Sequence, residues 1–220
     1  SPLRYPGGKS KVIDELYESL DEERLDTFVE LFAGGASFGL SLLEAGKTRK
    51  LILNDADPCV ANFWRAATQF TDDLIDEINA EGKPTPNRFY QYRSELNELR
   101  EAYLSGEERS ILSVTDAEWC VQKVARFLIV NRLSFGGLQA SNLLGGANGN
   151  YLQRWNPKEL IKRLEGIKAL SDRIFVRCKD ATRLLMEEMG WMKDNTPIFV
   201  DPPYFGTGSK LYPYGFKDGH

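Results

Sequence analysis

The sequence predicts an α/β fold built on a parallel sheet, and three observations carry that reading. An apolar strand runs into the glycine-rich turn Phe32-Ala33-Gly34-Gly35-Ala36 and a helix. A second strand ends in Asp55, about 20 residues on. A late apolar strand, Pro197 to Val200, ends in Asp201-Pro202-Pro203-Tyr204.

The elements follow in order. Lys11 to Leu20 reads as a helix, with Val12, Leu16 and Leu20 at four-residue spacing. Thr27 to Phe32 is a short buried strand, and Ala36 to Glu44 a helix stopped by Gly46. Lys50 to Asn54 is the second strand, which completes a βαβ unit. After Asp57-Pro58 the pattern turns helical. Phe89, Tyr92, Leu96, Leu99 and Tyr103 form one stripe, Asp116 caps a helix reaching Asn131, and Asn156-Pro157 opens another. Ser134 to Tyr151, rich in Gly and Asn, reads as too polar and flexible for a packed element. Strands resume at Ile174 to Arg177 and Pro197 to Val200, around a helix near Thr182 to Met192. The expected organisation is a discontinuous α/β domain, residues 1–57 and 171–220, bracketing a helical insertion over 58–170.

Composition removes whole classes of chemistry. The chain has 220 residues, 42% apolar and 27% charged, and no run approaches the roughly 18 apolar residues of a membrane helix. A cytosolic location is the expectation. Three cysteines lie far apart, which argues against a disulfide framework or a zinc knuckle. The single histidine is His220, so Ser-His-Asp or Cys-His catalysis and histidine-bound zinc are excluded. The net charge of −4 argues against a nucleic-acid partner, but its distribution does not. Eight acids fall between Asp14 and Glu30, whereas Trp119 to Lys158 holds none and carries Lys123, Arg126, Arg132, Arg154 and Lys158. That stretch is a local positive field.

Two features carry the chemistry. Backbone amides at a glycine-rich βα turn, with an acid closing the next strand, suit a nucleotide-like cofactor whose ribose hydroxyls rest on Asp55. Asp201-Pro202-Pro203-Tyr204 combines a carboxylate, a stiffened carbonyl and an aromatic plate, which together would hold a planar amine.

On these residues the chain resembles the Dam-type (D12 class, alpha group) DNA adenine-N6 methyltransferases. Pro2-Leu3-Arg4-Tyr5-Pro6-Gly7-Gly8-Lys9 is similar to their N-terminal motif, Phe28 to Ser37 to their cofactor loop, Leu53-Asn54-Asp55 to their acidic strand end and Asp201 to Tyr204 to their catalytic motif, all in the family's order. The resemblance implies a Rossmann-like methyltransferase sheet with an inserted, mainly helical target-recognition subdomain. It implies S-adenosylmethionine as cofactor, held by Tyr5, Gly7, Gly8, Lys9, Phe32, Ala33, Gly34, Gly35 and Asp55, with Asp180 reaching its adenine and Asp201 near its methionine end. It implies catalysis by Asp201, Pro202, Pro203 and Tyr204 on an adenine flipped out of double-stranded DNA. Lys123, Arg126, Asn131, Arg132 and Arg154 are the expected DNA contacts. No metal is implied.

The chain also departs from the pattern. Ala36 stands where Gly is commoner in the cofactor loop, and Gly136 replaces the Asn of the family's Asn-Arg-x-x-Tyr-Asn-Gly-Leu stretch. Ala140 stands where GATC-specific members carry a guanine-reading Arg, so GATC does not follow as the target. The strands that complete the family's sheet after the catalytic motif are expected to be missing. Two other readings remain open: a methyltransferase acting on RNA or protein glutamine, and a DNA-binding module without turnover.

Overall fold

The computed structural model describes residues 1–5, 13–18, 20, 25–105, 117–137, 141–188, 190 and 196–202. A first helix, α1 (Ile13–Glu18), precedes strand β1 (Leu25–Glu30), helix α2 (Ser37–Glu44) and strand β2 (Thr48–Asn54). Helices α3 (Pro58–Gln69), α4 (Thr71–Glu81), α5 (Pro86–Ser105), α6 (Ala117–Leu133) and α7 (Pro157–Lys168) follow. The chain then forms β3 (Ile174–Arg177), α8 (Ala181–Glu188) and β4 (Ile198–Phe199).

The four described strands pair in the order β3-β2-β1-β4, all parallel. Leu25 pairs with Thr48 and Glu30 with Leu53, so β1 and β2 each begin two residues before the apolar run that announced them. The chain steps outward from β1 through β2 to β3, then returns to the other side of β1 as β4. Strand order therefore reverses between β1 and β4, and parallel sheets bind ligands beyond the strand ends at that point.

Aromatic packing fixes β4 there. Phe28 of β1 and Phe199 of β4 both pack on Phe38 of α2, with ring centroids 5.4 and 5.3 Å away, edge to face. Tyr17 of α1 adds a fourth ring against Phe38.

Helix α3 was not singled out from the sequence, although Asp57-Pro58 is a capping signal; most of its residues are buried. Asp57 caps it, accepting from Cys59 N at 2.9 Å, and Pro58 occupies its first turn. It packs against β2 and β3 as well as α6 and α7. The first helix of the expected insertion is thus part of the sheet's own cover, and one hydrophobic core runs through both portions.

The Ser134 to Tyr151 segment corrects a second expectation. Ser134 pairs with Leu143 as an isolated antiparallel bridge, and Leu143 and Leu144 are buried. Two adjacent leucines supply apolar anchorage, while Gly137, Gly145 and Gly146 take the positive φ angles that the tight path requires. No helix among the described residues is long and apolar enough to cross a membrane.

Candidate functional site

The site is built at the end of β1. Gly34, at φ 44°, and Ala36, at φ 47° and ψ 36°, both adopt the left-handed conformation as the chain turns from strand to helix. For Ala36 this geometry costs about 1–2 kcal/mol, strain of the kind held at ligand-binding turns. A side chain at Gly34 would meet the ring of Tyr5, whose Cδ1 lies 2.9 Å from where the Cβ would stand. Tyr5 therefore lies directly on the turn.

Asp55 holds the turn from the other side. Its Oδ2 accepts from Gly34 N at 2.9 Å and its Oδ1 from Asp57 N at 2.9 Å. Burial, and secondarily the charge of Asp57, push its carboxyl up to about 7. A carboxylate has about four acceptor directions, so each oxygen keeps one for an incoming hydroxyl. Trp64 of α3, fully buried, donates from Nε1 to Gly34 O at 3.0 Å. The glycine is thus gripped at both its amide and its carbonyl. Phe32 and Gly35 are half-buried and Ala33 buried in the same turn.

Three residues that the sequence left without a role organise the surroundings. Asn54, buried, donates from Nδ2 to Leu31 O and Lys179 O, each at 3.0 Å, and accepts from Lys179 N at 3.1 Å. It ties the loops after β1 and β3 together. Arg100 of α5 grips Asp57 through Nε and Nη2 at 2.6–3.1 Å, with both side chains about 5% exposed. Glu30, the last residue of β1, is buried and accepts from Gly39 N at 2.5 Å. Burial pushes its carboxyl up to about 8, and the charge of Asp201 adds to that. An acid inside the apolar run Phe28 to Phe32 was its visible signal; Arg100 and Asn54 had none beyond being polar in buried company.

The expected catalytic acid, Asp201, is half-buried just past β4. Strand β4 is bonded to β1 through Leu31 N to Phe199 O at 3.0 Å, which brings Asp201 alongside the Gly34 turn. Pro202 is exposed. Gly7, Gly8, Lys9, Pro203 and Tyr204 lie outside the described residues.

Asp180, expected to reach the cofactor's adenine, lies at the start of α8. It is exposed and caps α8, its Oδ1 accepting from Thr182 N at 3.0 Å and Arg183 N at 3.2 Å. A short acid at a helix start satisfies those amides first.

The expected DNA contacts divide. Arg126 is paired with Glu95 at 2.7 Å and lies over the Tyr92 ring, so its charge is already matched. Arg132 points inward, donating to Arg154 O at 3.0 and 3.1 Å, and is held down to about 10 by burial and by neighbouring Arg4, Arg163 and Arg154. Asn131, 1% exposed, spends its amide on Arg4 and Gly137. These three thus have partners within the protein. Arg154 is half-buried, and Lys158 is exposed at the start of α7; Lys123 is half-buried on α6. Arg4 Nε and Arg154 Nη1 are buried without a hydrogen-bond partner among the described residues.

Among the described side chains, cysteine chemistry finds no support. Burial pushes the Cys59 thiol up to about 12 and that of Cys178 to about 11, so neither is a thiolate near neutrality. Among the described residues no group of three or more His, Cys, Asp or Glu is arranged to hold a metal ion.

What remains is a glycine turn, an acid after the second strand and an acid after β4, meeting where strand order reverses. The sequence as a whole is similar to those of known proteins. The chain is 23% identical over 207 residues to the Type II methyltransferase M.MjaIII of Methanocaldococcus jannaschii, covering 92% of this chain and 68% of that one. It is 28% identical over 204 residues to the DNA N-6-adenine-methyltransferase of Escherichia phage P1, covering 93% of this chain and 24% of that protein. It is 24% identical over 205 residues to a DNA adenine methylase of Vibrio cholerae, covering 92% and 64%. The chain thus spans from a quarter to two thirds of the length of these relatives. The family model for D12 class N6 adenine-specific DNA methyltransferases matches residues 5–218, from the tyrosine on the Gly34 turn to beyond the Asp-Pro-Pro-Tyr motif. The chain belongs to the D12 class of N6 adenine-specific DNA methyltransferases.

Proposed function

We propose that this protein transfers a methyl group from S-adenosylmethionine to the N6 amine of an adenine flipped out of double-stranded DNA. The observation that carries this is the register of β4 on β1: it brings the acid of the Asp-Pro-Pro-Tyr motif beside the Gly34–Asp55 turn. One site for a cofactor and one for an amine then share an edge.

The residues fit such a cofactor. Gly34 offers bare backbone under Tyr5, and Asp55 keeps an acceptor direction on each oxygen for a pair of ribose hydroxyls. When bound, S-adenosylmethionine supplies an electrophilic methyl on a sulfonium. Asp201 and the carbonyl of Pro202 accept hydrogen bonds from an exocyclic amine and turn its lone pair outward. Those bonds strengthen as the nitrogen gains positive charge, so they lower the barrier more than they aid binding. By the same reading Tyr204 stacks on the base, and Gly7, Gly8 and Lys9 close over the cofactor's methionine end. Arg154, with an unspent buried donor, and the exposed Lys158 are suited to DNA phosphates.

The test is transfer of labelled methyl to duplex DNA, RNA and protein in parallel. Label on N6 of adenine in DNA, cut about a hundredfold or more by Asp201→Ala, supports the proposal. Label on RNA or on protein glutamine instead, or DNA binding with no transfer at all, overturns it.

A further inference from the structure

The first five residues run between the cofactor turn and the recognition segment, and one buried side chain fastens them. Asn131, near the end of α6, accepts from Arg4 N at 2.8 Å and donates to Arg4 O at 2.8 Å. The same Nδ2 donates to Gly137 O at 2.9 Å. An amide that bonds both backbone groups of one residue copies a strand pairing, and here it also fixes Gly137, six residues further on. Gly137, at φ 80°, lies so close to Arg4 O that a Cβ could not be accommodated without displacing it. Residue 4 and the 135–137 turn therefore move as one joint.

On one side of the joint stands Tyr5, whose ring covers Gly34. On the other stands Phe135, 68% exposed at the start of the turn, with Gly136 half-buried and Gly137 buried behind it. Further bonds hold the strap on the same side: Arg163 donates to Ser1 O at 2.6 Å and Arg132 to Pro2 O at 3.4 Å. None of these reaches both sites. Among the described residues, the Asn131 amide hydrogen-bonds to the strap and the turn together, beside the direct contact of Gly137 with Arg4.

We propose that Asn131 is a positioning residue that couples DNA binding at the 135–137 turn to cofactor binding at the Gly34 turn. DNA resting on the turn fixes Gly137, and through the shared amide it fixes Arg4 and the seat of Tyr5 on Gly34. Cofactor on Gly34 orders the same joint from the opposite end, so each ligand strengthens the other by the same factor. The inference rests on the function proposed above.

The test measures S-adenosylhomocysteine affinity with and without a duplex selected for retention from a randomised pool. In the unsubstituted protein the duplex should tighten binding by about 5-fold or more, within the usual range of coupling between sites. In Asn131→Ala that gain should vanish, with the duplex-free affinity changed far less. A purely structural role would lower both affinities and leave their ratio intact. A Tyr5→Trp reporter in the otherwise unsubstituted protein covers the case in which Asn131→Ala does not fold: duplex alone should shift its emission. An unchanged ratio in Asn131→Ala, or a silent reporter with duplex bound, overturns the inference and leaves the methyltransferase reading standing. Failure to retain any duplex overturns both.

Discussion

Gly34 donates its amide to Asp55 Oδ2 at 2.9 Å, which joins the cofactor turn to the acid closing the second strand across 21 residues of chain. The bond makes the turn's shape depend on a carboxylate, and under the proposed function that carboxylate also meets the cofactor.

Asp55→Ala should therefore weaken S-adenosylmethionine binding by about 1–3 kcal/mol, the usual result of orphaning polar partners. Asp55→Asn keeps an acceptor for one of the two backbone amides and should lose less. Titration calorimetry on both variants checks the order; equal losses would mean that Asp55 acts on the turn alone.

The strands were the most legible part of the fold. Ile174 to Arg177 is a run of β-branched and aromatic residues bounded by turn signals, and β3 has those limits. Helix α3 was announced only by its Asp57-Pro58 start, and its packing against both the sheet and the later helices depends on contacts distant in sequence. In the site, Gly34 and Asp55 were readable because a strand-turn-helix-strand unit fixes their spacing. Asn131 and Arg100 were not: their partners, Arg4 and Asp57, lie 127 and 43 residues away, and no local pattern encodes such a meeting. The partners of the basic residues were illegible for a related reason. Sequence shows that Arg126 is positive, but not that Glu95, one helix earlier, is its partner.

Glu30 makes stability depend on pH. Its folded value, about 8, lies above the ordinary carboxyl value of 4.5, so the folded state holds a proton that the unfolded state has released. The stabilisation is complete below about pH 4.5 and is lost as pH rises through about 8, a change on the order of a few kcal/mol. Glu30→Gln keeps an acceptor for Gly39 N and cannot ionise. Thermal melts from pH 5 to 9 should fall more steeply for the parent than for the variant; parallel curves would reject the buried acid as their cause.

The Arg100–Asp57 pair is buried on both sides. Removing one member leaves the other charged and enclosed, so Arg100→Ala should cost about 3–5 kcal/mol in denaturant unfolding. Arg126→Ala, losing a half-exposed pair, should cost about 1 kcal/mol or less.

DNA affinity should fall steeply with salt, as phosphate-bound counterions are released. Lys158→Ala and Arg154→Ala should each reduce the slope of log affinity against log salt by about one, the mark of a phosphate contact. Arg126→Ala should leave the slope unchanged because its charge is matched within the protein. Filter-binding isotherms between low and moderate salt separate the two outcomes.

The position of α3 sets a rule for transplanting target preference between relatives. Trp64 holds Gly34 O, so a chimera spliced at Pro58 would import a helix that must recreate another protein's grip on the cofactor turn. A junction after Gln69 keeps the host's own helix in place. The donor segment would still need a cation at the site of Arg100, since Asp57 remains with the host. A workable splice in this chain thus begins one helix later than its change in sequence pattern suggests.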